Sequence, residues 1–103
     1  MAHLITHGFD IIERNYSFKT NFHGGEIDII ARRGSVVHFI EVKSRSTDAF
    51  GCGREAVTYL KQKTIRRMAT AWLCKNKLYD KIDIAFDIIE ITNREIELFE
   101  NCF

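Results

Sequence analysis

Apolar and polar positions fall into short, well-punctuated segments along the chain. Residues 2–7 read as a helical stub that Gly8 ends, and Phe9 to Tyr16 carries enough apolar residues for a strand. A polar loop from Ser17 to Gly25 leads to Glu26-Ile27-Asp28-Ile29-Ile30-Ala31, then Arg32-Arg33-Gly34-Ser35, then Val36 to Lys43, which together predict a hairpin of β-branched strands. From Ser44 to Gly53 the residues turn small and polar, as in an exposed loop. A helix is predicted from about Arg54 to Lys77. At about 100° per residue, Val57, Leu60, Ile65, Met68, Ala69, Trp72 and Leu73 share one sector, with Lys63, Arg66, Arg67, Thr70 and Lys77 opposite. Strands over Ile82 to Ile91 and Glu95 to Phe99, joined by a turn at Thr92-Asn93-Arg94, complete the pattern. This order predicts an α/β fold with a mixed sheet of about five strands flanked by helices.

Gly-Ser between two strand-like runs signals a two-residue turn, with glycine supplying the positive φ, and the turn sets the register. Residues equidistant from Gly34-Ser35 then face each other: Asp28 opposite Glu41 and Glu26 opposite Lys43, all four on one face. Opposed carboxylates lie about 5 Å apart at Cβ and repel. Their neighbours Ile30, Phe39 and Val37 are apolar. So is the other face, with Ile27, Ile29, Ala31, Val36, Ile40 and Val42, which puts the charges in a cleft of a sheet buried on both sides. Two readings stand. Asp28 and Glu41 hold Mg²⁺ with water and a substrate phosphate, and Lys43 positions or deprotonates the attacking water, which implies phosphodiester hydrolysis. Alternatively, these are surface charges and Glu26–Lys43 is an ordinary cross-strand ion pair.

Composition narrows the setting. With 103 residues, 46% of them hydrophobic and 28% charged, the chain has room for one ordinary globular domain. The longest apolar runs reach four residues, far short of the roughly 20 that a membrane helix needs, and no secretory signal is legible, so a cytoplasmic address is expected. Cys52, Cys74 and Cys102 are too irregularly spaced for a disulfide framework and are read as reduced thiols. His3 and His7 stand four apart without a third ligand nearby. The net charge is +1, but residues 32–67 hold nine Lys or Arg against three Asp or Glu, and residues 78–103 hold two against seven. A basic middle suits a polyanion. A solvated helix face gives the same pattern.

Lys61 falls inside the apolar helical sector, unlike the other basic residues. Arg45 follows Lys43 closely enough to pair with a phosphate bidentately if its loop closes, or it does nothing. Asp87 reads as structural, pairing with a basic residue of the helix, and His38 as a packed, hydrogen-bonded core histidine. Trp72, Phe50 and Tyr59 read as core or as stacking platforms for bases.

Asp28 followed by Glu41-Val42-Lys43 resembles the PD-(D/E)XK nuclease signature. A wider set of residues resembles the bacterial YraN-like family over nearly the whole chain. That set is Gly25 to Ala31, Phe39 to Arg45, Phe50-Gly51, Ala56-Val57, Lys61, Phe86-Asp87 and Glu100-Asn101-Cys102-Phe103. That family is similar in fold to archaeal Holliday junction resolvases and restriction endonucleases. The resemblance therefore implies a restriction-endonuclease-like fold, a nucleic-acid partner and an endonuclease activity. By matching position it implies Asp28 and Glu41 as metal carboxylates, the Val42 carbonyl as a further ligand, Lys43 as the catalytic lysine, and Glu26 as a supporting or extra ligand. It also implies that Lys61 or Gln62 reaches back to the scissile phosphate, where the alternative is a Lys that only covers apolar surface. Family members usually begin with a longer first helix bearing a further acidic group, so the first helix is expected to be short here.

These expectations combine into a Mg²⁺- or Mn²⁺-dependent nuclease for DNA or structured nucleic acid such as branched junctions. Lys63, Arg66 and Arg67 join Arg45, Lys61 and Gln62 in holding the substrate. A homodimer would suit two-strand cleavage. The alternatives are a binding module of the same fold without turnover, and a small self-assembling protein whose basic middle meets the acidic tail of another copy.

Overall fold

The computed structural model describes residues 2–17, 25–45, 58–92 and 95–103, with the Arg45 side chain excepted. The chain runs α1 (Ala2–Thr6), β1 (Asp10–Ser17), β2 (Glu26–Arg33), β3 (Val36–Arg45), α2 (Tyr59–Lys75), β4 (Asp83–Thr92) and β5 (Glu95–Phe99). All five strands form one sheet in sequence order. Every neighbouring pair is antiparallel except β3 and β4, which run parallel across the connection that contains α2. This is the expected α/β class, a five-stranded mixed sheet flanked by two helices and compatible with a restriction-endonuclease-like fold. Among the described residues no helix is long and apolar enough to cross a membrane.

The hairpin turn works as its sequence dictates. Gly34 has φ 62° while Ser35 does not join the residues of positive φ, the sign pattern of a type II′ turn. The resulting pairs run from Arg33–Val36 to Ile29–Ile40, in the register that the turn predicts. Beyond Ile29–Ile40 the two strands stop pairing, and β2 continues with β1 alone to Ser17–Glu26. The Asp28–Glu41 and Glu26–Lys43 pairings expected from strict continuation therefore do not form.

A separate apolar layer covers each face of the sheet. On the α2 side, Ile65, Met68, Ala69, Trp72 and Leu73 pack on Ile30, Val37, Phe39, Phe86 and Ile88. Trp72 meets Phe39 edge-on at 5.8 Å, and its indole N–H donates to Glu13 Oε1 at 3.3 Å, so the one polar atom of a core tryptophan is satisfied. On the other side, Leu4 from α1 and Phe9 close over Ile29, Ala31, Ile40 and Ile89. Ile27 departs from the expected alternation. It packs on the α2 side with Tyr16, at the point where Asn15 takes φ 54° and the regular pleat is interrupted.

α2 begins later than its periodicity suggests. Thr58 is extended, and its hydroxyl accepts from the Lys61 N–H, an N-cap that starts the helix at Tyr59. Residues 51–57, with Val57 among the predicted apolar positions, lie outside the described residues, as does Phe50. Leu60, expected in the core, is 75% exposed, because the first turn of α2 stands where β2 and β3 have already parted. The helix ends in a Schellman arrangement: Leu78 N–H reaches the Leu73 carbonyl and Lys77 N–H the Cys74 carbonyl, with Lys77 at φ 60°.

Candidate active site

The parting of β2 and β3 places a carboxylate where a backbone acceptor would otherwise stand. Val42 N–H donates to Asp28 Oδ2 at 2.8 Å, which fixes the Asp28 carboxylate between the strands. Glu41, next along β3, has the face of Val37 and Phe39 and points under α2, only 4% exposed. Lys43 lies on the same face with its Nζ 4.0 Å from Glu41 Oε1. From the first full turn of α2, Lys61 reaches down and places its Nζ 3.0 Å from the same oxygen. The inward aim of Lys61 on the helical wheel thus finds its acceptor in Glu41.

Glu41 Oε2 is left buried with no hydrogen-bond partner among the described residues. Asp28 lies beside it, but two ionised carboxylates offer only acceptors to each other. An unsatisfied buried acceptor costs about 1–3 kcal/mol, so this oxygen is an expensive feature of the fold. The electrostatics agree. Burial pushes the Glu41 carboxyl above the usual carboxylate range, and Asp28 adds to the rise while the Lys61 hydrogen bond opposes it. Burial lowers Lys43, and the adjacent Lys61 ammonium lowers it further. Burial also acts to lower Lys61, but the bond and charge of Glu41 outweigh it and the net shift is upward.

A further acid joins this face from β4. The parallel pairing sets Glu90 beside Lys43 in register, and Glu90 is 7% exposed. The sequence carries one signal for it, a carboxylate in phase with the core residues Phe86 and Ile88 of a mostly apolar strand. Glu26 is not brought in: it is exposed, pairs with Ser17, and makes no ion pair with Lys43.

The outer residues divide. Gln62 is half-buried on α2, while Lys63, Arg66 and Arg67 are exposed. Lys63 lies over the exposed Tyr59 ring at 5.4 Å, and the Arg66 guanidinium lies over the ring of core residue Phe86 at 4.6 Å from its centroid, rather than pointing wholly away from the apolar sector. Arg45 ends β3 opposite Thr92.

On the far face, His38 is the hydrogen-bonded core histidine that its pattern predicts, 3% exposed. Its Nδ1 bonds Asp87 Oδ2, and Asp87 Oδ1 accepts the Asn101 N–H at 3.0 Å. Asp87 is structural as expected, but its partner is a histidine of β3 rather than a basic residue of α2, because Asp87 projects away from the helix. With Glu100 these residues bring three ligand atoms within 4.8 Å of one another, yet Glu100 is already engaged by Arg33.

Comparison with known proteins gives the cluster a family context. A family model described as "Uncharacterised protein family UPF0102" matches residues 1–91. The chain is 40% identical to a UPF0102 protein of Thermodesulfovibrio yellowstonii, over 98% of its own length and 85% of the relative's. It is 42% identical to one of Alkaliphilus oremlandii, over 93% and 83%, and 39% identical to one of Acetivibrio thermocellus, over 92% and 77%. The span matched by the family model contains Asp28, Glu41, Lys43, Lys61 and Glu90, and the chain belongs to the uncharacterised protein family UPF0102.

Proposed function

We propose that the chain is a PD-(D/E)XK-type nuclease of the cytoplasm, hydrolysing phosphodiester bonds in DNA or in structured nucleic acid such as branched junctions. The observation that carries this reading is Glu41 Oε2, a buried carboxylate oxygen with no hydrogen-bond partner among the described residues, beside Asp28. Hard oxygen donors in this arrangement suit Mg²⁺ or Mn²⁺. Asp28 and Glu41, with the Val42 carbonyl, would hold the ion, which when bound supplies a Lewis acid for a phosphoryl oxygen and a lowered pKa for water.

The protein's own groups take the remaining work. The Val42 N–H holds Asp28 in one orientation, and Lys61 keeps Glu41 charged against the cost of burial. Lys43 orients the attacking water and offsets negative charge growing on the phosphoryl oxygens. Lys61, at 39% side-chain exposure, stands at the mouth of the cleft within reach of the same phosphate. Gln62 borders it, and Arg45, Lys63, Arg66 and Arg67 attract the backbone without reading sequence. Two chains related by a two-fold axis would present two such centres to the two strands of a junction.

The test is cleavage of labelled four-way junction, duplex and single-stranded DNA in Mg²⁺ or Mn²⁺ by wild type, Asp28→Ala and Lys43→Ala. Metal-dependent cutting lost in both variants supports the assignment; its absence from the wild type removes it. A second reading has its own observation, since Lys61 already neutralises Glu41 without a metal. A nucleic-acid-binding module of the same fold would bind in all three proteins and cut in none.

A further inference from the structure

We propose that Arg14 and Asn15, on edge strand β1, form a phosphate subsite across Asp28 from Glu41 and the lysines, and grip the nucleic-acid backbone next to the bond that is cut. This deepens the nuclease reading and rests on it. A recess of about 400 Å³ opens at the parting of β2 and β3, lined by Arg14, Asn15, Asp28, Ile29 and Val42. Register explains who meets there: Arg14 pairs with Ile29 and Tyr16 with Ile27, which brings Asn15 alongside Asp28.

Three features point to a ligand of mixed chemistry. First, both side chains have unspent donors, since among the described residues neither makes a side-chain hydrogen bond or ion pair, although Asp28 lines the same recess. A guanidinium offers a planar fork that matches two phosphate oxygens. Second, Asn15 holds φ 54° at an exposed position, a conformation disfavoured for a residue with a Cβ and one that Asn tolerates better than most. Buried Tyr16 next to it pins the chain on the α2 side, so the turn at Asn15 sets where Arg14 and the amide project. Third, Ile29 and Val42 give the recess an apolar floor while Asp28 gives it an anionic wall. A free anion gains little beside a carboxylate. A phosphodiester strand places its sugar on the floor, one phosphate on Arg14, and the next toward the cation side of Asp28.

The experiment compares wild type, Arg14→Gln, Asn15→Gly and Lys81→Gln. Glycine accepts positive φ and so keeps the fold at position 15. Lys81 lines a different recess with Arg32 and Ser35, near the hairpin turn, and serves as a matched charge loss. Binding of labelled duplex and junction is read by anisotropy in Ca²⁺ over a salt series, cleavage separately in Mg²⁺, and Mg²⁺ affinity of the free proteins by calorimetry. Arg14→Gln is expected to weaken binding about tenfold, equally for unrelated sequences of one shape, and to shallow the salt slope by about 0.9. Mg²⁺ affinity stays at the wild-type value. Asn15→Gly is expected to weaken binding about threefold, as for one neutral hydrogen bond, and Lys81→Gln to change it by less than about twofold. If Arg14→Gln binds as tightly as wild type, or no more weakly than Lys81→Gln, while the wild type cuts, the subsite is wrong and the nuclease reading stands. If the wild type neither binds nor cuts any substrate, both fall together.

Discussion

Of the three carboxylates buried in the sheet, Asp87 and Glu41 point toward opposite faces and are treated in opposite ways. Asp87, with no exposed surface, has both oxygens occupied, by the His38 ring and the Asn101 N–H. Glu41, 4% exposed, has one oxygen held by Lys61 and the other without a hydrogen bond among the described residues. A satisfied buried acid ties strands together; a half-satisfied one stores free energy that a ligand can release. The difference separates a group that holds the fold from a group that the fold holds ready.

The largest expected effect tests the second half of that contrast. Glu41→Gln should lower metal-dependent cleavage about 100-fold or more, the scale on which a preorganised charge acts in a transition state, as read in single-turnover assays. Asp87→Ala tests the first half. It leaves the His38 ring and the Asn101 N–H without their acceptor and should cost about 3 kcal/mol in urea unfolding, from two unmet groups at about 1–3 kcal/mol each. Next in size is the response to metal. At Mg²⁺ of about 100 times Kd the wild type should gain about 2.7 kcal/mol, while Glu41→Gln gains much less at the same concentration. In EDTA the ranking inverts, and Glu41→Gln should lie within about 1 kcal/mol of wild type or above it, because an amide removes a buried charge. An Asp87-like loss of stability there would erase the distinction between the two acids.

The smallest effect is on pH dependence. Burial raises the folded Glu41 pKa above its ordinary value of 4.5, so the folded state binds this proton more tightly than the unfolded state. In the window from that ordinary value up to the raised one the unfolded chain carries fewer protons, and this group's contribution to stability falls as pH rises. Metal-free wild type should therefore lose stability through that window, and Glu41→Gln should show a shallower slope in the same denaturation series.

What the sequence discloses divides along the distance of the contacts. The Gly34–Ser35 turn is local, and the hairpin register follows from it as far as Ile29–Ile40; Glu41 and Lys43 share a face by alternation alone, whereas Asp28 sits where the alternation of β2 breaks. Lys61 is marked as inward by the helical wheel. Glu90 and the His38–Asp87 bond depend on the parallel pairing of β3 with β4, which no local pattern specifies. Leu60 shows the limit from the other side: a helical wheel reports which residues share a face, but not whether the sheet beneath still extends that far. The Asp28–Val42 bond is hidden for a related reason, since a side chain replacing a ladder acceptor leaves no periodic trace.

The order of the strands has a consequence for how such a protein can change. β3, which carries Glu41 and Lys43, is the middle strand, with a ladder on each side and an apolar layer on each face. A substitution there is felt by β2, β4 and α2 at once. β1 lies at the edge with one ladder, and Arg14 and Asn15 face the solvent. Residues at that rim can be exchanged with little disturbance to the centre, so the proposed grip and the proposed chemistry are free to drift at different rates.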